Sequence, residues 1–505
     1  MCAASKRTSP CVERDAKMEI PTMLKRLLSS LCWTIFLVLF LAGVSAWGAR
    51  FDPIELYNPQ SRDLGWFGIS VSGVPDINGD GRWEVVVGCD ELKNIEGCGD
   101  GRIFDGATGQ LLGVCYPSNS GVWSMFGDCV SGVPDVNGDG CGDVVVSACY
   151  EHNVFIYDGK TRQILRVLHS PMGTDTGYNF GRVAAGIPDI NGDGRGDVIV
   201  GSPTEDPGAS PYRAGRAYVF NGATGSLLHT LVSPNEEKEG VFGVSVVGVP
   251  DVNGDGRTDI LVGSQESPTS VTKAGRVYMF DGATGNLLNS FVSPNKEVDG
   301  SFGWSLAGMP DVTGDGRGDI LVGACFESLG GIGPVGRVYL LNGATGQLLH
   351  TFVSPYPVWY GDFGVSVSSL PDVTGDGYAD ILIGACYEWA GGIEKAGKVY
   401  VYDGRSRQLV HVLASPNAQY FGSFGISVAG LPDVNGDGWG DAVIGAYGES
   451  VSPKLSYLLQ NGRAYIFHLG PKSPASVGMD WTLYGSGALG FGSVGPGVKK
   501  ALPCW

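Results

Sequence analysis

Short apolar runs separated by tight polar turns recur along most of this chain. In residues 302–355, the segment 302–308 alternates large and small side chains and predicts a first strand. Residues 319–323, apolar in succession after Asp319, predict a second strand buried on both faces. A third is expected at 336–341, a hairpin at Asn342-Gly343-Ala344-Thr345-Gly346, where Asn-Gly suits positive φ, and a fourth strand at 348–353. Between the first two strands lies the nonapeptide Asp-apolar-Asn/Thr-Gly-Asp-Gly-x-x-Asp/Glu. It begins at Asp76, Asp135, Asp189, Asp251, Asp311, Asp372 and Asp433, at intervals of 59, 54, 62, 60, 61 and 61 residues. One such unit buries too little surface to stand alone, so the repeats must share a core.

Four antiparallel strands repeated seven times, with no helical pattern between them, predict an all-β seven-bladed β-propeller; a solenoid is the competing architecture. Closure decides between them. The seventh repeat lacks a fourth strand after 463–467, whereas residues 51–58 offer one with no repeat of its own. Pro59 stands eight residues before Phe67, the spacing that Pro234, Pro294, Pro355 and Pro416 keep to the next Phe-Gly. The N-terminal strand is therefore expected to complete the last blade, in preference to a rival stretch at 481–484.

Composition agrees: 81 of 505 residues are Gly, and charged residues make up 17%. The net charge of -18 argues against nucleic acid as a partner. Twenty-one of the 52 acidic residues sit at positions one, five and nine of the seven loops, so the charge reads as metal-site inventory.

With position seven contributing its carbonyl, the expected ligands are Asp76, Asn78, Asp80, Arg82 and Glu84 in the first loop, and Asp135, Asn137, Asp139, Cys141 and Asp143 in the second. Next come Asp189, Asn191, Asp193, Arg195 and Asp197, then Asp251, Asn253, Asp255, Arg257 and Asp259. The fifth loop offers Asp311, Thr313, Asp315, Arg317 and Asp319; the sixth Asp372, Thr374, Asp376, Tyr378 and Asp380; the seventh Asp433, Asn435, Asp437, Trp439 and Asp441. Hard oxygen donors at alternate positions suit Ca²⁺, up to seven ions in all. An EF-hand is excluded, since its twelfth-position Glu is replaced by Val87, Val146, Val200, Val262, Val322, Ile383 and Ile444. The metal-free reading is a set of Asx turns, in which three carboxylates per loop would repel one another. Thr313, Thr374 and Glu84 are expected to make their sites differ. Arg195-Gly196-Asp197 and Arg317-Gly318-Asp319 spell an adhesion tripeptide, but their Asp residues are expected to be ligands and so unavailable to a partner.

Residues 23–46 join a basic start, an apolar run at 31–44 and a small-x-small exit, the pattern of a secretory signal cleaved after Ala46; an uncleaved anchor is the alternative. No second long apolar run follows, so no membrane span is expected in the mature chain. The division expected is 1–46 as extension and signal, 51–470 as propeller and 471–505 as tail. Twelve Cys fit an oxidising compartment. Pairing Cys89 with Cys98 would staple one loop, and Cys115 with Cys129 would tie two repeats; Cys141 and Cys149 lie too far apart along a strand. Cys325 and Cys386, at equivalent places, are expected to be buried small residues.

Phe-Gly, the acidic loop and then Val200-Gly201-Ser202-Pro203 or Val322-Gly323-Ala324-Cys325 together resemble the FG-GAP repeat, the unit of the integrin α-chain propeller. The resemblance implies a seven-bladed propeller with Ca²⁺ in the loops between first and second strands, and early-blade disulfides like Cys89 with Cys98. Integrin α chains load only some blades with calcium and continue into further domains and a membrane span. This chain departs from them in having seven acidic loops, stopping at Trp505 and lacking an Asn-x-Ser/Thr sequon, and its near-identical repeats look more like secreted FG-GAP proteins of bacteria or archaea.

The function expected is an extracellular, calcium-binding adhesion or binding module for a protein or glycan. Its partner is expected on the loops opposite the acidic ones, which carry Trp123, Tyr178, Tyr212, Tyr356, Trp359, Tyr360, Trp389 and Tyr420. The alternative is a propeller-based hydrolase or lyase. His169, His229, His350 and His411 all fall in fourth strands and read as repeat features, so no catalytic residue is expected.

Overall fold

The computed structural model describes residues 52–58, 65–90, 99–117, 125–173, 179–206, 211–268, 271–450 and 460–470. Their strands form seven four-stranded antiparallel sheets. First strands of successive sheets lie side by side, and that of the seventh meets that of the first, which makes a closed seven-bladed propeller. In the last blade the order is Ile54–Leu56, Arg463–His468, Asp441–Ala446 and Val428–Leu431. The N-terminal strand thus closes the ring, Ile54 opposite Ile466 and Leu56 opposite Ala464. The rival stretch at 481–484 and the signal-like segment lie outside the described residues. Among the described residues no helix is long and apolar enough to cross a membrane.

The hydrophobic cores lie between blades rather than within them. Leu321 of blade 5 points into a cluster shared with Ile381, Ile383 and Tyr400 of blade 6, while Ile320 and Val322 point the other way, to Val249 and Leu261 of blade 4. Each second strand is buried along its whole length because its two faces meet different neighbours. Seven such clusters complete the circuit, the last joining Leu56 and Ile466 of blade 7 to Phe67 and Val85 of blade 1.

Polar groups pin the same junctions. Tyr400 donates to the buried Glu388 of its own blade, and Ser354 of blade 5 donates to the same carboxylate. Tyr339, Glu327, Ser293 and Asn295 repeat the arrangement one junction earlier.

Two local expectations are corrected. The first strand of blade 5 is Ser305–Met309, because Phe302-Gly303 forms a turn instead of ladder. Phe302 N–H donates to Ala274 O of blade 4 at 2.9 Å, its ring is fully buried, and Gly303 takes φ +92°. The Phe-Gly pair therefore dovetails one blade into the next. In the hairpin, positive φ falls at Gly346 (φ +72°), not at Gly343. Gly343 is required for close approach: a Cβ there would lie 2.0 Å from Gly318 O.

Cys115 and Cys129 are separate thiols, against the expected bridge. Cys115 is buried with Phe126 and Val130, and Val130 is the chain neighbour of Cys129. Successive strand residues face opposite ways, so Cys129 Sγ turns instead to Ala184 of blade 3, 3.4 Å from its carbonyl. The Cys89–Cys98 pairing lies outside the described residues, since Cys98 is not among them. Cys325 and Cys386 are buried, as expected.

Candidate metal centres

Each acidic loop is a backbone framework wound around its own carboxylates. In blade 5 the Asp311 carboxylate accepts from the amides of Gly314 and Gly316, both at 2.6 Å. Those glycines take φ of +85° and +81°, a conformation that L side chains rarely adopt, which is why the pattern needs Gly at positions four and six. Asp315 accepts from Arg317 N–H at 2.9 Å, and the buried Asp319 accepts from Val312 N–H at 2.9 Å. The other oxygen of Asp319 accepts from Gly343 N–H at 3.2 Å, tying the loop to the turn between third and fourth strands.

These contacts recur around the ring: Asp76, Asp135, Asp189, Asp251, Asp372 and Asp433 hold their own glycine amides in the same way. The ninth-position residues Asp143, Asp197, Asp259, Asp380 and Asp441 repeat the Asp319 contact with the position-two amide; the first four also accept from their turn glycine, whereas Asp441 accepts from Leu469 N–H. Asn78, Asn137, Asn191, Asn253 and Asn435 use their side-chain oxygens to receive the amide at position five. Thr313 and Thr374 differ, because their hydroxyls donate to Asp311 and Asp372, at 3.1 and 3.3 Å.

Blade 1 shows most directly what the donors could hold. Carboxylate oxygens of Asp76, Asp80 and Glu84 all lie within 4.8 Å of one another. Glu84 is 1% exposed; its Oε2 accepts from Ile77 N–H at 2.6 Å, and its Oε1 is buried with no hydrogen-bond partner. A buried carboxylate oxygen left unpaired is costly, and a hard cation would satisfy it.

Electrostatics divides each loop into two parts. Burial pushes Asp143, Asp197, Asp259 and Asp319 up to about 6, and Glu84 and Asp380 up to about 7, against the amides that hold them. At the first position burial acts the same way on Asp135, Asp189, Asp251, Asp311, Asp372 and Asp433. There the glycine amides outweigh it and hold the carboxyls below the usual Asp range.

Two features of the site were not read from the sequence. The residue opening the turn between strands three and four also faces the loop: Asp105, Asp158 and Asp281 accept from Asn78, Asn137 and Asn253, while Asn221 and Asn342 donate to Asp193 and Asp315. The alternation of Asp and Asn before that turn's first glycine was the available signal. In five of the seven loops the side chain at position seven, expected to matter only for its carbonyl, reaches the loop of the preceding blade. Arg82 donates to Val434 O at 2.7 Å, Arg257 to Ile190 O, and Trp439 lies over Gly375.

The ninth-position Asp197 and Asp319 have no exposed surface, so neither Arg-Gly-Asp tripeptide can present its acid. His169, His229, His350 and His411 sit in fourth strands as expected and do not converge. On the opposite loops Trp359 is 66% and Trp389 52% exposed, and Tyr212, Tyr356 and Tyr420 are also exposed. Tyr360 is only partly so, with its ring against Trp359. Trp123 and Tyr178 lie outside the described residues.

Blades 3 to 7 carry FG-GAP repeats: residues 180–220, 242–280, 302–341, 363–402 and 424–467 match the model of that repeat. Five of the seven blades of this propeller are thus FG-GAP repeats. Among curated proteins it is similar to integrin α chains. It is 32% identical to human integrin alpha-IIb over 277 residues, covering 50% of this chain and 25% of that one. It is 31% identical to Drosophila melanogaster integrin alpha-PS2 over 242 residues, covering 44% and 16%. It is 29% identical to Xenopus laevis integrin alpha-4 over 258 residues, covering 50% and 23%. The chain spans a quarter or less of the relatives it matches.

Proposed function

We propose that this protein is an extracellular, calcium-stabilised propeller that binds a protein or glycan partner. The observation that carries the calcium reading is the blade 1 triad, in which Asp76, Asp80 and Glu84 converge and a buried Glu84 oxygen is left unpaired. In each loop the oxygens of positions one, three, five and nine and the carbonyl of position seven would hold the ion. Calcium supplies positive charge and oxygen coordination there, and so fixes first strand to second. Residues 1–46 serve as extension and secretory signal, 51–470 as the ring and 471–505 as a tail.

The partner face follows from strand direction. Acidic loops and strand three to four turns share one end of blades 1 to 6, and the blade 7 acidic loop takes the same end, so the aromatic loops occupy the other. The likeness to integrin α chains supports an adhesive role. A screen of wild-type protein against glycans and cell-surface proteins, with and without calcium, tests it. Trp359→Ala with Trp389→Ala should cost at least tenfold in affinity for a partner so found, as expected for central aromatic anchors, while leaving Tm unchanged. Turnover of a polysaccharide or phospholipid would instead favour the enzyme reading.

The raised ninth-position carboxyls give a pH signature. In the metal-free protein their folded values exceed the unfolded ones, so the stability they contribute is held at low pH and lost as pH rises through about 6 to 7. Calcium binds the ionised form and should offset that loss. The rise in Tm on adding calcium should therefore be larger at pH 7.5 than at pH 5, as read by differential scanning fluorimetry; an equal rise at both would refute this account.

A further inference from the structure

Resting on the calcium reading above, we propose that Arg195 and Arg317 act as built-in attenuators of the calcium loops in blades 2 and 4, so that the seven sites bind with graded affinity. Each arginine belongs to one loop by its backbone and to the preceding loop by its side chain. Arg195 Nη1 lies 3.1 Å from Asp135 Oδ2, and Arg317 Nη1 lies 3.3 Å from Asp251 Oδ2. Those are the first-position carboxylates of blades 2 and 4. The guanidinium groups lie directly over the fourth-position glycines: a Cβ on Gly138 would sit 2.3 Å from Arg195, and one on Gly254 would sit 2.0 Å from Arg317.

The other loops provide an internal comparison. A Cβ on Gly79 of blade 1 or Gly314 of blade 5 would meet nothing within 4 Å, since the next blade presents Cys141 or Tyr378 at position seven. In blade 6 the cover is neutral Trp439. In blades 3 and 7 an arginine is present, but its hydrogen bond goes to the backbone carbonyl of Ile190 or Val434 and leaves the first carboxylate alone. Only Asp135 and Asp251, among the described loops, receive a guanidinium from the next blade on the carboxylate itself.

Two physical effects follow. The guanidinium occupies a lone pair on a ligand oxygen, and its charge repels a dication a few ångströms away. With both partners substantially solvated, that repulsion is worth roughly 3- to 10-fold in calcium affinity. Because it is electrostatic and near the surface, it should weaken as salt is raised.

The test is calorimetric calcium titration of the full chain as wild type, Arg195→Gln, Arg317→Gln and the double variant, at low and physiological ionic strength. Each single variant should tighten one site by about 3- to 10-fold, the double variant two sites. Total calcium uptake should stay the same, and the gain should shrink with salt. Tyr378→Arg, which places a guanidinium next to the open Gly314, should weaken one site by a similar factor. Unchanged affinities in all of these variants, with uptake intact, would overturn the inference. Wild-type protein that takes up no calcium would overturn the underlying calcium reading, a distinguishable failure.

Discussion

Chelation of calcium is expected to lower the melting temperature of this protein by on the order of 10–20 °C. A ligand held only by the native state adds about 2.7 kcal/mol at a hundredfold excess over its Kd, and only a few such loops are needed. For a ring of this size, one kcal/mol corresponds to roughly 2 °C. The physical source is visible in blade 1, where three carboxylates lie within 4.8 Å and a buried Glu84 oxygen has no partner. The fold itself should survive, because every first-position Asp is already anchored on glycine amides, as Asp311 is on Gly314 and Gly316. Circular dichroism melts with chelator, then with calcium restored, measure the effect. If thorough chelation leaves the melt in place, the amide network alone holds the loops and the acids are Asx turns.

Replacing Leu56 by Asp is expected to cost about 3–5 kcal/mol or more, the largest effect of any single substitution considered. Leu56 is 1% exposed and belongs to the cluster that joins the last blade to the first, with Ile466, Val443 and Val85. A carboxylate there would be buried among aliphatic groups on the strand that closes the ring, leaving Arg463–His468 as an unpaired edge. Neighbouring Tyr57 is exposed, so Tyr57→Ala should stay within about 0.5 kcal/mol of wild type and serves as control. Urea unfolding of the two variants decides the matter: a Leu56→Asp protein as stable as the control would mean that the ring does not depend on this strand.

Much of the fold was legible because the repeat states it seven times. The Pro59 spacing located the closing strand, and the unbroken apolar runs, such as the one that follows Asp319 in Asp319–Ala324, marked strands buried on both faces. Local details went astray where a residue answers to another blade. Phe302-Gly303 alternates like strand, yet its amide is taken by Ala274 of the preceding blade. Gly343 looks like a turn glycine, yet it is there to let Gly318 approach. Cys115 and Cys129 had a plausible spacing, but pleating turns Cys129 away toward Ala184.

For the candidate metal centres, the sequence by itself determined the candidate donors, their spacing and their sevenfold recurrence, since a nonapeptide with Gly at four and six dictates its own turn. Only the tertiary structure decided what surrounds each loop. Asp105 and Asp158 come from the adjoining turn of the same blade, while Arg195 and Arg317 come from the loop of the next. A local motif encodes its own backbone through nearest-neighbour sterics. The charges that tune it arrive from residues about 20 to 66 positions away, which only ring closure and blade packing bring within reach.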